Sequence, residues 1–239
     1  MSRPPRPLVI AHRGASGYRR ENTQPAYALA VELRADMIEI DLHRTRDQAT
    51  VVIHDDRPEG LAAGEIGAAS LEEVRRLDLG GGERIPTFDE VLDAFGQAIP
   101  FNVELKRGPG GPYPDLAPAA AAAVAARGLL ERTLFSSFDD AYLEALARLE
   151  PKARRALLLE PRKAGRPLER ARAVGAEAIN PWLGLATPEL VEAAHAEGLA
   201  VYVYTVNREQ DMRRLLALGV DGLFTDYPDR LRRLVPPGE

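Results

Sequence analysis

The chain has 239 residues, enough to bury a large core, with 45% hydrophobic and 28% charged residues, an ordinary globular balance. A formal net charge of -5 argues against nucleic acid as a partner, and the absence of cysteine excludes disulfides and thiolate metal sites. No apolar run approaches the roughly 18–20 residues that cross a bilayer, and the N-terminus carries no signal-peptide pattern, so no stable membrane insertion and a cytoplasmic location are expected.

Leu8–Ala11 is the first predicted strand, and it runs into His12-Arg13-Gly14. A histidine at a strand end, beside an arginine suited to a phosphate and a glycine that admits close backbone approach, is a candidate catalytic corner. Glu21-Asn22-Thr23 follows on the loop into the first helix. Asn22 or Thr23 is a candidate N-cap, and Glu21 is within reach of the same corner.

The second strand, Met37–Leu42, alternates Ile38, Ile40 and Leu42 with Glu39, Asp41 and His43. Glu39 and Asp41 are two apart and therefore share a face. A ninth apolar run, Val51–His54, lies too close to Leu42 for a helical crossover and reads as the return arm of a hairpin. With Asp47-Gln48 as a two-residue loop, Asp41 pairs with His54 and His43 with Val52. His43 is then expected beyond the rim, as a supporting or surface residue.

The stretch 55–82 is longer than one connection requires and is rich in Gly and Ala. It reads as a small excursion over the mouth of the fold, with a capped helix starting at Ser70-Leu-Glu-Glu73. A further helix follows Thr87-Phe-Asp-Glu90. The third strand, Phe101–Leu105, carries Glu104 and leads to Lys106 on the same face. Pro118 is expected to start the helix in the Ala117–Ala126 run. Thr133–Ser136, Ala156–Leu159, Ala178–Asn180, Ala200–Val206 and Gly222–Thr225 complete eight strands. Helices are signalled by Ser137-Phe-Asp-Asp140 and Thr187-Pro188, and helix ends by Gly128, Gly198 and Gly219. His195 falls on a helix and is expected to be solvated.

Eight strand–helix alternations in one domain, 1–239, predict a (β/α)8 TIM barrel. The competing doubly wound sheet lacks a G-x-G-x-x-G after any strand. Barrel active sites lie at the C-terminal strand ends, where Glu39, Asp41 and Glu104 would meet as three oxygen donors. Buried carboxylates must be paired or bound to a metal, and an all-oxygen set favours one divalent cation, Mg²⁺ or Ca²⁺. His12 and His54 are the histidines placed for acid–base chemistry, with Lys106 a phosphate contact or a partner of Glu104.

These residues resemble the glycerophosphodiester phosphodiesterases. The resemblance rests on His12-Arg13-Gly14, Glu21-Asn22-Thr23, Ile38-Glu39-Ile40-Asp41, Val51-Val52-Ile53-His54-Asp55 and Glu104-Leu105-Lys106. It continues in Ser136-Ser137-Phe138, Tyr204-Thr205-Val206-Asn207 and Asp221-Gly222-Leu223-Phe224-Thr225-Asp226-Tyr227-Pro228, spanning roughly residues 8 to 230. It implies a TIM barrel that hydrolyses deacylated phospholipids to sn-glycerol 3-phosphate and an alcohol. His12 and His54 would be the acid–base pair, Arg13 and Lys106 phosphate contacts, and Glu39, Asp41 and Glu104 the metal ligands. Glu21 and Tyr204 would touch substrate. The chain departs from the family pattern at Arg20, where proline is usual, at Asp47-Gln48 for Asp-Gly, in the loop 57–64, and at Tyr204 for tryptophan. Competing readings are a lysophospholipase D-like phosphodiesterase and a non-catalytic phosphate-binding barrel.

Overall fold

The computed structural model describes residues 4–163 and 165–235. The two ends of the 1–239 span lie outside that range. The chain runs β1 (Leu8–His12), α1 (Gln24–Glu32), β2 (Met37–Arg44), β3 (Thr50–Val52), α2 (Leu71–Arg75), α3 (Phe88–Phe95) and β4 (Phe101–Leu105). The two-residue strands β5 (Arg107–Gly108) and β6 (Gly111–Pro112) come next. They are followed by α4 (Leu116–Ala125), β7 (Thr133–Ser137), α5 (Asp140–Leu149), β8 (Arg154–Leu159) and α6 (Pro167–Ala173). The last third is β9 (Ala178–Pro181), α7 (Pro188–Ala196), β10 (Ala200–Val203), α8 (Glu209–Ala217), β11 (Gly222–Thr225) and α9 (Pro228–Leu234).

Strands β1, β11, β10, β9, β8, β7, β4 and β2 pair side by side, and β1 pairs with β2 to close the ring. Every pairing in the ring is parallel, so this is the expected TIM barrel. Alternate residues from the strands, among them Ile10, Met37, Leu134, Ala156, Tyr202 and Phe224, form one apolar cluster inside the barrel. The opposite faces join the helices in a second, larger core. No helix among the described residues is long and apolar enough to cross a membrane.

The expected strands all form, with shifted ends. β2 runs two residues further, to Arg44, because the hairpin with β3 continues its ladder. β10 stops at Val203 instead of Val206; beyond it only Tyr204 bridges, to Trp182. Ser70, Thr87 and Thr187 cap their helices, the first two as full capping boxes. Ser137 does not: it ends β7, and Asp139 caps α5 through Ala141 N–H. Helix α4 starts at Leu116, two residues ahead of Pro118. Residues 55–82 hold α2 and a short 3₁₀ turn, Ile66–Ala68. Their apolar side chains pack with Val51, Ile53 and Ile85 in a satellite cluster.

The hairpin register differs from expectation by one residue. Leu42 pairs with Val52, His43 with Val51 and Arg44 with Thr50, and Ile53 N–H donates to the Asp41 carbonyl at 3.0 Å. The loop is therefore Arg46-Asp47-Gln48, closed by Thr45 N–H on the Ala49 carbonyl at 3.0 Å. A two-residue turn of the tighter kind needs positive φ at both positions, which Asp-Gln resists. The three-residue loop needs it only at Gln48, which sits at φ 65°. The left-handed conformation costs a non-glycine residue about 1–2 kcal/mol, part of which glycine returns as unfolded-state entropy. Gln48→Gly is expected to raise stability by about 0.5–1 kcal/mol, read as a shifted denaturation midpoint at unchanged m-value.

Candidate active site

The site begins where β1 stops. Arg13 and Gly14 both take positive φ, 56° and 83°, turning the chain sharply off the barrel. Gly14 was expected to admit a ligand; its neighbour is instead protein. A Cβ there would lie 2.7 Å from the Ala26 backbone, so the glycine lets α1 pack against the turn.

Glu39 and Asp41 are almost fully buried, and the register sets Asp41 beside Glu104 and Glu39 beside Asn102. One oxygen from each of Glu39, Asp41 and Glu104 lies within 4.8 Å of the others, so the three could hold a metal ion. Two cations stand against these three acids. Lys106 Nζ is 2.9 Å from Glu104 and 3.4 Å from Asp41, and Arg13 Nε is 3.2 Å from Asp41. Arg13 also donates its backbone N–H to Glu39 at 2.9 Å and its guanidinium to Glu21 at 2.9 Å.

Burial raises Glu39, and repulsion from Asp41 and Glu104 adds to it, so this carboxyl sits well above its usual range. Burial also opposes the charge on Asp41, but Lys106 and Arg13 outweigh it and hold Asp41 below its usual value. Lys106 is disfavoured by burial too, yet Glu104 and Asp41 raise it. Asp41 Oδ1 is buried and makes no hydrogen bond, with the Lys106 ammonium 3.4 Å away. A surplus carboxylate, an acid driven toward its neutral form and a buried oxygen without a hydrogen bond are what a hard cation would relieve. The donor set fits one.

His12 and His54 line one cavity of about 150 Å³ with Arg13, Glu39, Glu104 and Lys106; its apolar lining is Phe138, Leu158, Tyr204 and Phe224. His12 Nδ1 lies 2.7 Å from Asp226, and His54 Nδ1 lies 2.7 Å from Asp55. With Nδ1 engaged on a carboxylate, each ring has Nε2 left for a ligand. Asp226 is itself fixed by Ser16 Oγ at 3.0 Å and Asn207 Nδ2 at 2.5 Å. Tyr204 donates its hydroxyl to the Leu159 carbonyl at 2.9 Å and meets Phe138 edge to face. Glu21 does not line this cavity. It reaches it through Arg13 and lines the neighbouring one beside His54 and Asp55.

Several partners were not singled out from sequence. Asp226 lies just past β11, next to β1 only because the barrel closes. Asn22 is no cap: it donates to Asp41 at 2.9 Å, and Thr23 holds the N-cap position without a side-chain cap bond. Asn102 is buried under the cavity. Its carbonyl accepts from Ser136 at 2.7 Å, and its amide nitrogen has no partner. The surface option for His43 is overturned, because β2 extends through it. It is 1% exposed, and burial brings its ring down to about 4. His195 is not solvated either. Its Nε2 lies 2.8 Å from Asp221, which links α7 to the start of β11.

The family model for glycerophosphoryl diester phosphodiesterases matches residues 12–230. A glycerophosphodiester phosphodiesterase of Caldanaerobacter subterraneus subsp. tengcongensis is 36% identical, covering 97% of this chain and 98% of its own. The crystal structure of a glycerophosphodiester phosphodiesterase from Agrobacterium tumefaciens superposes with a TM-score of 0.81 at 28% identity, over 95% of this chain and 99% of the other. An Oleispira antarctica phosphodiesterase, solved in complex with the product sn-glycerol-3-phosphate, superposes with a TM-score of 0.82 at 28% identity, over 95% and 96% of the two chains. A barrel whose strand ends gather two histidines, three acids, an arginine and a lysine, matched along nearly its whole length by such relatives, belongs to the glycerophosphoryl diester phosphodiesterase family of phosphoric diester hydrolases.

Proposed function

We propose that the chain hydrolyses glycerophosphodiesters to sn-glycerol 3-phosphate and an alcohol, with one divalent cation, Mg²⁺ or Ca²⁺, held by Glu39, Asp41 and Glu104. The observation that carries this reading is the single cavity shared by His12, His54, Arg13, Lys106 and two of the three acids. The bound cation would supply Lewis-acid stabilisation of charge on the phosphate oxygens. Arg13 and Lys106 bind those oxygens and orient the diester. One histidine takes the proton of the glycerol 2-hydroxyl as its oxygen attacks phosphorus. The other gives a proton to the departing alcohol oxygen. A water then opens the cyclic phosphate with the two histidines exchanging roles, so protons balance over the cycle. Asp226 and Asp55 hold Nδ1 of each ring, keeping Nε2 as the atom that exchanges the proton. Tyr204 and Phe138 border the apolar part of the cavity against the substrate's carbon skeleton.

The test is release of glycerol 3-phosphate from glycerophosphocholine and glycerophosphoethanolamine, metal-free and then with Mg²⁺ or Ca²⁺. Cation-dependent release is expected. Formation of lysophosphatidic acid from lysophosphatidylcholine, with no glycerol 3-phosphate from the deacylated diesters, would move the reading to a lysophospholipase D, and no product from any diester would leave a binding barrel.

A further inference from the structure

His43 lies outside the catalytic cavity, yet both of its ring nitrogens are engaged. Nε2 is 3.1 Å from the His54 carbonyl oxygen, and Nδ1 is 3.1 Å from the Tyr113 hydroxyl. A carbonyl only accepts, so Nε2 carries the hydrogen. Nδ1 of the neutral ring then accepts, and the Tyr113 hydroxyl donates to it. From Tyr113 the bonding continues through the main chain. Its N–H donates to the Tyr142 hydroxyl at 2.6 Å, and that hydroxyl donates to the Lys106 carbonyl at 2.9 Å. The chain thus starts at the backbone of His54 and ends at the backbone of Lys106.

Packing holds the middle of this chain in place. The His43 and Tyr113 rings meet edge to face at 5.8 Å and 81°. Two glycines make room for the tyrosine. A Cβ at Gly108 would fall 2.9 Å from its hydroxyl, and a Cβ at Gly67 would fall 3.0 Å from its ring. Gly108 belongs to β5, just past Lys106, and Gly67 to the 3₁₀ turn of the excursion that follows His54. Tyr113 is seated between the two segments that leave the site. His54 needs such support. It stands past the end of β3, and its side chain is 34% exposed.

We propose that His43 and Tyr113 are positioning residues for the phosphodiester reaction. By fixing the main chain at His54 and at Lys106, they set the separation of the proton-transferring imidazole and the phosphate-binding ammonium. This rests on the reaction proposed above. A misplacement of about 1 Å can cost roughly 100-fold in rate, so a brace of this kind acts on turnover more than on substrate affinity.

Amide substitutions separate the two bonds of His43. A glutamine amide reaches where Nε2 lies and keeps the donor to the His54 carbonyl. An asparagine amide reaches only where Nδ1 lies and leaves that carbonyl without its donor. With kcat measured per folded enzyme, His43→Asn is expected to lose roughly 10-fold to 100-fold in kcat with KM nearly unchanged. His43→Gln is expected to recover most of the loss, and Tyr113→Phe, which keeps the ring, to fall between them. Nitrogen-15 NMR gives a readout independent of activity, since the chain has 4 histidines. His43 is expected as the neutral Nε2–H tautomer, with its Nδ1 resonance moving toward an unbonded nitrogen in Tyr113→Phe. The Nδ1–H tautomer would overturn the chain of bonds. Asparagine and glutamine variants with equal kcat, in a wild type that turns over, would overturn the positioning role alone. A wild type with the expected tautomer but no diester hydrolysis would overturn the reaction reading and this role with it.

Discussion

Alanine at His12 or at His54 is expected to lower turnover by about 10²–10⁴-fold, the range general acid–base groups contribute. The two variants should not behave alike in pH. Removing the histidine that acts as base in the first step should remove the acidic limb of the kcat/KM profile, and removing the acid should remove the basic limb. The double variant should cost little more than the worse single one, because in the proposed reaction the two rings serve one proton cycle. Both variants are expected to fold. Both side chains line a cavity and are partly exposed, 17% for His12 and 34% for His54. Steady-state kinetics across pH on the two single variants decides the matter; a variant that keeps most of its activity would remove that histidine from the reaction.

Mg²⁺ or Ca²⁺ is expected to raise the melting temperature of the metal-free protein, and Glu39→Gln to abolish the rise. A cation at 100 times its Kd stabilises by about 2.7 kcal/mol. In a chain of this size that is roughly 5–11 °C. The sign for Glu39 follows from its surroundings. Burial, Asp41 and Glu104 raise its folded-state value above the unfolded one. Its contribution is therefore fully present below the unfolded carboxylate value and is lost as pH rises through the folded one. Metal-free protein should weaken over that window, and bound cation should restore it. Glu39→Gln removes the disfavoured charge, so its metal-free melting point should exceed that of wild type near neutral pH. Scanning calorimetry with and without cation reads all three effects. An equal cation shift in wild type and Glu39→Gln would place the ion elsewhere.

What could be read in the sequence was whatever follows from local periodicity. Glu39, Asp41 and Glu104 stood out because strand alternation puts each on a known face and barrel order makes their strands neighbours. His12 and His54 stood out because they end apolar runs. The features that were missed depend on longer range or on backbone torsion. Asp226 braces His12 from the opposite end of the chain, and only closure of β1 on β11 brings them together. The hairpin slipped by one residue because Gln48 accepts a left-handed φ, a property that composition does not reveal. His195 looked solvated, and His43 could be placed only as a supporting or surface group, because their partners, Asp221 and Tyr113, lie 26 and 70 residues away. Asn22 resembled a helix cap because its side chain suits one, and the buried Asp41 oxygen claimed it instead.

The contact between His12 and Asp226 has a consequence for the chain as it is made. His12 is synthesised 214 residues ahead of its carboxylate partner Asp226, and all three acids also precede that partner. Until β11 docks against β1, the first histidine has no brace and the ring of strands is open. A nascent or truncated chain that already displays Glu39, Asp41 and Glu104 therefore holds an incomplete site. Barrel closure acts as a checkpoint, because the brace on His12 forms only when β11 docks on β1.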